Sequence, residues 1–132
     1  MPVFIDTSAI YAALTVEDAF HEAALAGWAS LKDRREVLQT SNYVLLESIA
    51  LLARRLGIAA VREFQRDFVP LLEVSWVDEE IHSRAMSGLL AAGRRDLSLV
   101  DCVSFELMRV LNLKTAFAFD AHFAEQGFQS IP

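Results

Sequence analysis

Apolar residues in this chain gather in short blocks whose spacing changes from one block to the next. The first, in "PVFID", is a continuous run closed by an acid, the pattern of a short strand buried on both faces. A helix is predicted from Thr7 to about Leu14. A second, from Glu17 to Leu31, is marked by Phe20, Ala24, Leu25, Trp28 and Leu31 at helical spacing. "KDRRE" interrupts the periodicity, and "EVLQT" is the next strand. The pattern then predicts a helix from Asn42 to Leu56 that Gly57 can end, and another from near Ile58 that carries Val61, Phe64 and Phe68 toward Pro70.

"EVSWV" alternates as a strand does. Asp78 is placed to cap a helix running to about Gly93, with Ile81, Ala85, Met86, Leu89 and Leu90 on one face. "LSLVDCVSFELMRVLN" predicts a further helix and "KTAFAF" a strand. "DAHFAEQGFQSI" predicts a short helical turn, Gly127 and a last strand. Strands alternating with helices imply parallel pairing through right-handed crossovers. The expected fold is a three-layer α/β domain spanning residues 1–132, with a central parallel sheet flanked by helices.

Composition changes this picture little. The hydrophobic fraction of 54% is high, yet no apolar run approaches the length of a membrane span. It implies a large core, an apolar partner surface, or both. "MPVFID" lacks the basic start and long apolar stretch of a secretion signal, and Cys102 is the only cysteine, so a cytoplasmic protein is expected. A net charge of −6 argues against non-specific coating of nucleic acid. The arginines pair at Arg34-Arg35, Arg54-Arg55 and Arg94-Arg95, where solvated faces are the ordinary reading and phosphate binding the alternative.

The acids carry more information. Ligands bind open parallel sheets beyond the carboxyl ends of the strands. Asp6 closes the first strand and Asp120 follows "TAFAF", so both belong at that edge. Glu47 lies early in the helix after the second strand, and Asp101 in the first turn of the helix that leads to the "TAFAF" strand. Both helix starts map near the same edge.

Helix capping accounts for three of these acids one at a time. Asp6 can cap the first helix, Asp101 stands at capping-box spacing from Ser98, and Asp120 can cap a short turn. Glu47 has no such role, because it lies inside its helix among Tyr43, Val44, Ala50 and Leu51. Two like charges about 4 Å apart repel by on the order of 4 kcal/mol at an effective dielectric of 20, a cost that a bound divalent cation removes. Oxygen ligands favour magnesium or manganese over zinc. His21, His82 and His122 are scattered in sequence, with ordinary packing or surface roles expected, although His122 lies close to the acidic edge. Thr7 and Ser8 follow Asp6 at a helix start, where hydroxyls and N–H groups either cap the helix or hold a phosphate. Metal beside an anion site suits phosphodiester hydrolysis.

At "VFIDTSAIYAAL", "SNYVLLE", "DLSLVDCVSFELM" and "AFAFDAHFAEQGF", in this order, the chain resembles the PIN-domain ribonucleases, most closely the VapC-like toxins of bacterial toxin–antitoxin pairs. The resemblance covers essentially the whole chain. It implies a magnesium- or manganese-dependent endoribonuclease whose metal site is Asp6, Glu47, Asp101 and Asp120, with Thr7 or Ser8 supporting the metal water or the scissile phosphate. Water attack would be in line, leaving a 5′-phosphate and a 3′-hydroxyl. The resemblance also implies a homodimer and a cognate antitoxin seated in the groove by the active site, and equally allows a PIN ribonuclease outside a toxin pair.

Two readings from other classes compete. A phosphorylation-dependent receiver needs paired acids after the first strand, an Asp after a middle strand and a Lys beyond a later one. Here Asp6 is single and Lys114 precedes its strand. A non-catalytic binding module of the same fold would be expected to lack an acid. Glu47 is expected to be partly buried at the floor of a cleft.

Overall fold

The structure is a computed structural model that describes residues 1–132. Five short strands, β1 (Val3–Ile5), β2 (Leu38–Ser41), β3 (Leu72–Ser75), β4 (Thr115–Phe117) and β5 (Gln129–Ile131), form one sheet in the order β3-β2-β1-β4-β5. Every pairing is parallel, with Phe4 opposite Gln39 on one side and Ala116 on the other. Seven α-helices flank it: α1 (Thr7–Leu14), α2 (His21–Asp33), α3 (Asn42–Leu56), α4 (Ile58–Glu63), α5 (Glu79–Ala92), α6 (Leu99–Val110) and α7 (His122–Glu125). The parallel α/β expectation holds. No helix is long and apolar enough to cross a membrane.

The central strand β1 is apolar without alternation because both of its faces are covered. Val3, Phe4 and Ile5 are all buried, and Phe4, Phe117, Phe123 and Phe64 are among the largest fully buried side chains. Withdrawing each such ring from water contributes roughly 1.5–3 kcal/mol. Trp28 on α2 meets Phe68 edge-on at 5.1 Å between ring centroids, and its indole N–H donates to the Ala9 carbonyl at 3.1 Å. This bond ties α2 to α1 without leaving a buried donor unpaired.

The departures from expectation have local causes. Helix α2 starts at His21 and not at Glu17, because the Asp18 carboxylate accepts the Phe20 N–H at 2.8 Å and holds a turn there. After α4 the backbone widens into a π-turn over Phe64–Phe68 and a 3-10 turn over Val69–Leu71, where Pro70 has no N–H to continue a helix. Strand β3 stops at Ser75, since the Val77 N–H turns to the Asn42 side chain at 2.8 Å. Strand β4 stops at Phe117, and the Phe119 N–H donates to the Ser8 hydroxyl at 3.0 Å. Leu25 and Leu90 do not join the buried stripes of their helices. Both are exposed, Leu90 at 74%.

The chain leaves β1 toward β2 and returns to β1's other side as β4. This makes the β1–β4 junction the switch point of the sheet, the place where a crevice opens beyond the strand ends.

Candidate active site

Asp6 stands at that switch point. Its N–H donates to the Phe117 carbonyl at 3.1 Å, continuing the β1–β4 ladder by one bond. Its carboxylate caps α1, with Oδ2 accepting from the Ser8 N–H at 3.1 Å and the Ser8 hydroxyl at 2.6 Å. It is the most buried of the four acids, at 3% exposure. Burial pushes its carboxyl up to about 7, the charges of Asp120 and Asp101 add to the rise, and the Ser8 bonds oppose it.

Asp101 occupies the third position of α6 and forms a full capping box with Ser98, each side chain accepting the other's N–H at 3.1 Å. Asp120, in the turn after β4, accepts the His122 N–H at 3.0 Å. The capping roles expected for Asp6 and Asp101 are therefore real, and they coexist with membership of one cleft. Capping fixes each carboxylate's direction and leaves oxygen lone pairs free, as a carboxylate has about four acceptor sites.

Glu47 is half-buried in the second turn of α3, which Ser41 caps through the Val44 N–H at 3.1 Å. Its carboxyl is raised, first by burial and then by Asp101 and Asp120, against a lowering hydrogen bond from Thr7. The Thr7 hydroxyl also accepts from Ser48 at 3.3 Å, which links the starts of α1 and α3. Glu47 is thus partly buried as its position implied, while the deepest place belongs to Asp6.

An open cleft of about 590 Å³ brings these groups together. Asp6, Thr7, Ser8, Glu47, Asp101 and Asp120 all line it. Tyr11 continues the α1 wall beyond Thr7 and Ser8. Ala50, Leu51 and Arg54 continue the α3 wall from Glu47 at three-, four- and seven-residue steps. Ser8's hydroxyl is committed to Asp6 and Phe119, while the Thr7 hydroxyl accepts from Ser48 and stands beside Glu47.

His122 also lines the cleft, close to the acidic edge as its position in sequence indicated, although an ordinary packing or surface role was expected. Its Nδ1 lies 3.5 Å from Asp101 Oδ2 and 3.8 Å from Asp120 Oδ1. This nitrogen is buried with no hydrogen-bond partner. Ligand atoms of Asp101, Asp120 and His122 all fall within 4.8 Å of one another. Two carboxylates and an unpartnered nitrogen gathered this closely fit a divalent cation, which would offset their mutual repulsion and give the orphaned atom a partner. The signal for His122 was its place two residues after Asp120, which a one-turn helix gave no periodicity to interpret.

Comparison with known proteins agrees with this geometry. Residues 3–129 match the PIN domain family. The 23S rRNA-specific endonuclease VapC20 of Mycobacterium tuberculosis is 35% identical over 130 residues, covering 98% of this chain and 97% of the relative. The crystal structure of that protein, described as a sarcin-ricin loop cleaving toxin, superposes with a TM-score of 0.84 over 96% of this chain and 95% of the other. VapBC2 from Rickettsia felis, bound to a DNA fragment from their promoter, shares the fold at 12% identity, with a TM-score of 0.73 over 98% and 97% of the two chains.

Proposed function

This chain belongs to the PIN domain family, and on that premise we propose that it is a metal-dependent endoribonuclease, the toxin of a toxin–antitoxin pair, acting on ribosomal RNA. The observation that carries the reading is the convergence of Asp6, Glu47, Asp101 and Asp120 on one cleft at the sheet's switch point. A receiver's sheet order of 2-1-3-4-5 differs from the 3-2-1-4-5 order found here. The VapC20 relative supports ribosomal RNA as the substrate class.

Asp6, Glu47, Asp101 and Asp120 hold magnesium or manganese in this reading, with Glu47 bonded directly or through water. When bound, the cation activates water for attack and neutralises charge developing on the phosphate. Burial of Asp6 and Asp101 strips solvent from the carboxylates, which strengthens their hold on a cation. Thr7 lines the cleft beside Glu47, and its hydroxyl acts to lower the Glu47 carboxyl against the rise that burial causes. In-line attack leaves a 5′-phosphate and a 3′-hydroxyl. The partners are a cognate antitoxin and a second copy of this chain. Exposed Leu46, Leu56 and Ile58 on α3 and α4 provide apolar surface for such contacts.

The test is cleavage of a ribosomal RNA fragment by the purified chain with manganese or magnesium, with transfer RNA as comparison. Asp6→Asn is expected to lower the rate by roughly 10²–10³, the usual cost of removing one electrostatic stabiliser, with the fold intact. Full cleavage by that variant sinks the site assignment, and indifference to chelator sinks the metal dependence.

A further inference from the structure

We propose that His122 is itself a ligand of the bound cation through Nδ1, making a mixed nitrogen and oxygen site with Asp101 and Asp120 that favours manganese over magnesium. The inference deepens the reading of this cleft as a divalent-cation site and rests on it.

The two ring nitrogens have different surroundings. Nε2 lies 3.3 Å from Asp96 Oδ2, a carboxylate that can only accept. The proton therefore belongs on Nε2. Nδ1 makes no hydrogen bond, with Asp101 Oδ2 at 3.5 Å and Asp120 Oδ1 at 3.8 Å. With the proton on Nε2, Nδ1 turns a buried, unpartnered lone pair toward the two carboxylates, a repulsive contact that a cation between them relieves.

Behind the ring, Arg94 grips Asp96 with two bonds, Nε to Oδ1 at 3.0 Å and Nη2 to Oδ2 at 2.7 Å, and holds Glu125 at 2.8 Å. Glu125 is the last residue of α7, the helix that His122 begins. Arg94, Asp96 and His122 thus form a chain whose outer members set the ring's tautomer and orientation, the arrangement that supports metal-bound histidines. The three donor atoms span no more than 4.8 Å, close to the roughly 4–5 Å across the first ligand shell of a divalent ion. Oxygen ligands suit magnesium and manganese alike, whereas imidazole suits transition ions, so of these two His122 favours manganese, the transition ion.

The experiment is pulsed electron paramagnetic resonance of manganese bound to the full chain. A nitrogen coupling of a directly ligated imidazole is expected in the wild type. It should persist in the His21→Gln/His82→Gln double variant, where His122 is the only remaining ring, and vanish in His122→Gln. Asp96→Asn, a change at an exposed position, is expected to weaken manganese binding by roughly 10–100-fold. In His122→Gln the loss of affinity should be larger for manganese than for magnesium.

Manganese bound without nitrogen coupling in the double variant overturns the inference, as does failure to bind manganese. Coupling that survives in folded His122→Gln overturns it too. RNA cleavage is assayed on the same samples. Nitrogen coupling without cleavage leaves His122 as a ligand and removes the ribonuclease reading. Cleavage without coupling does the reverse.

Discussion

At the scale of single residues, Asp6 combines two demands that ordinarily conflict. It must lie deep enough to order α1 and β4, and it must keep a charge where solvation is poor. Burial raises its carboxyl to about 7, above the ordinary value of 3.8. Between those values the unfolded chain has released the proton while the native chain keeps it. The native state then binds more protons, so stability falls as pH rises through this window. Metal-free wild-type protein is therefore expected to melt at progressively lower temperature from about pH 4 to pH 7. Asp6→Asn keeps an acceptor for the Ser8 N–H and should lose most of that slope, becoming the more stable chain at pH 8 in chelator. Thermal melts across this range check both statements, and parallel curves for the two proteins would contradict them.

At the scale of elements, two contacts decide how the cleft is built and what it can grip. Gly27 on α2 lies against Phe117 of β4, where an added Cβ would stand 2.6 Å from the ring's Cζ. Phe117 is fully buried and its carbonyl receives the Asp6 N–H. Gly27→Ala, despite a better helix propensity, is expected to destabilise the fold by about 1–3 kcal/mol through overpacking. Urea unfolding would measure it as a lowered midpoint. On α3, the stripe Glu47, Ala50, Leu51 and Arg54 runs along the cleft, and Arg54 is the only permanently positive side chain among the lining residues. The rise from Glu47 to Arg54 is about 10 Å, so an RNA laid along this stripe would bring a neighbouring phosphate to the guanidinium. Arg54→Ala should raise KM severalfold with little change in kcat, and reduce the salt slope of RNA binding by about 0.7, one phosphate's share for a single strand. An unchanged slope would remove Arg54 from the substrate path.

At the scale of the whole molecule, the acids hold elements far apart in sequence under mutual repulsion. A cation that binds only the native state should stabilise it by about 2.7 kcal/mol at a hundred times its dissociation constant. Manganese is expected to raise the melting temperature of the wild type and to do little for Asp101→Asn, with chelator reversing the gain. Equal shifts in both proteins would place the ion elsewhere. The same scale explains why function was legible from so few residues. Parallel strands deliver their carboxyl ends to one edge, so acids at positions 6 and 120 meet without any local signal between them.

The sequence by itself determined the elements whose boundaries are set locally. Helices α1 and α3 run from Thr7 to Leu14 and from Asn42 to Leu56 as their periodicity predicts, because Asp6, Ser41 and Gly57 act on the adjacent backbone. It also determined the edge at which the four acids gather, since a parallel sheet admits only one. Tertiary structure decided the rest. Asp18 bonds a turn in place of a helix start, Ser8 spends its hydroxyl on Asp6 and on the backbone of Phe119, and Arg94 reaches Asp96 and Glu125 to aim His122. The longer of these links join residues 31 and 111 positions apart. A hydrogen bond of that kind leaves no period in the sequence, because its geometry exists only once the sheet has closed the distance.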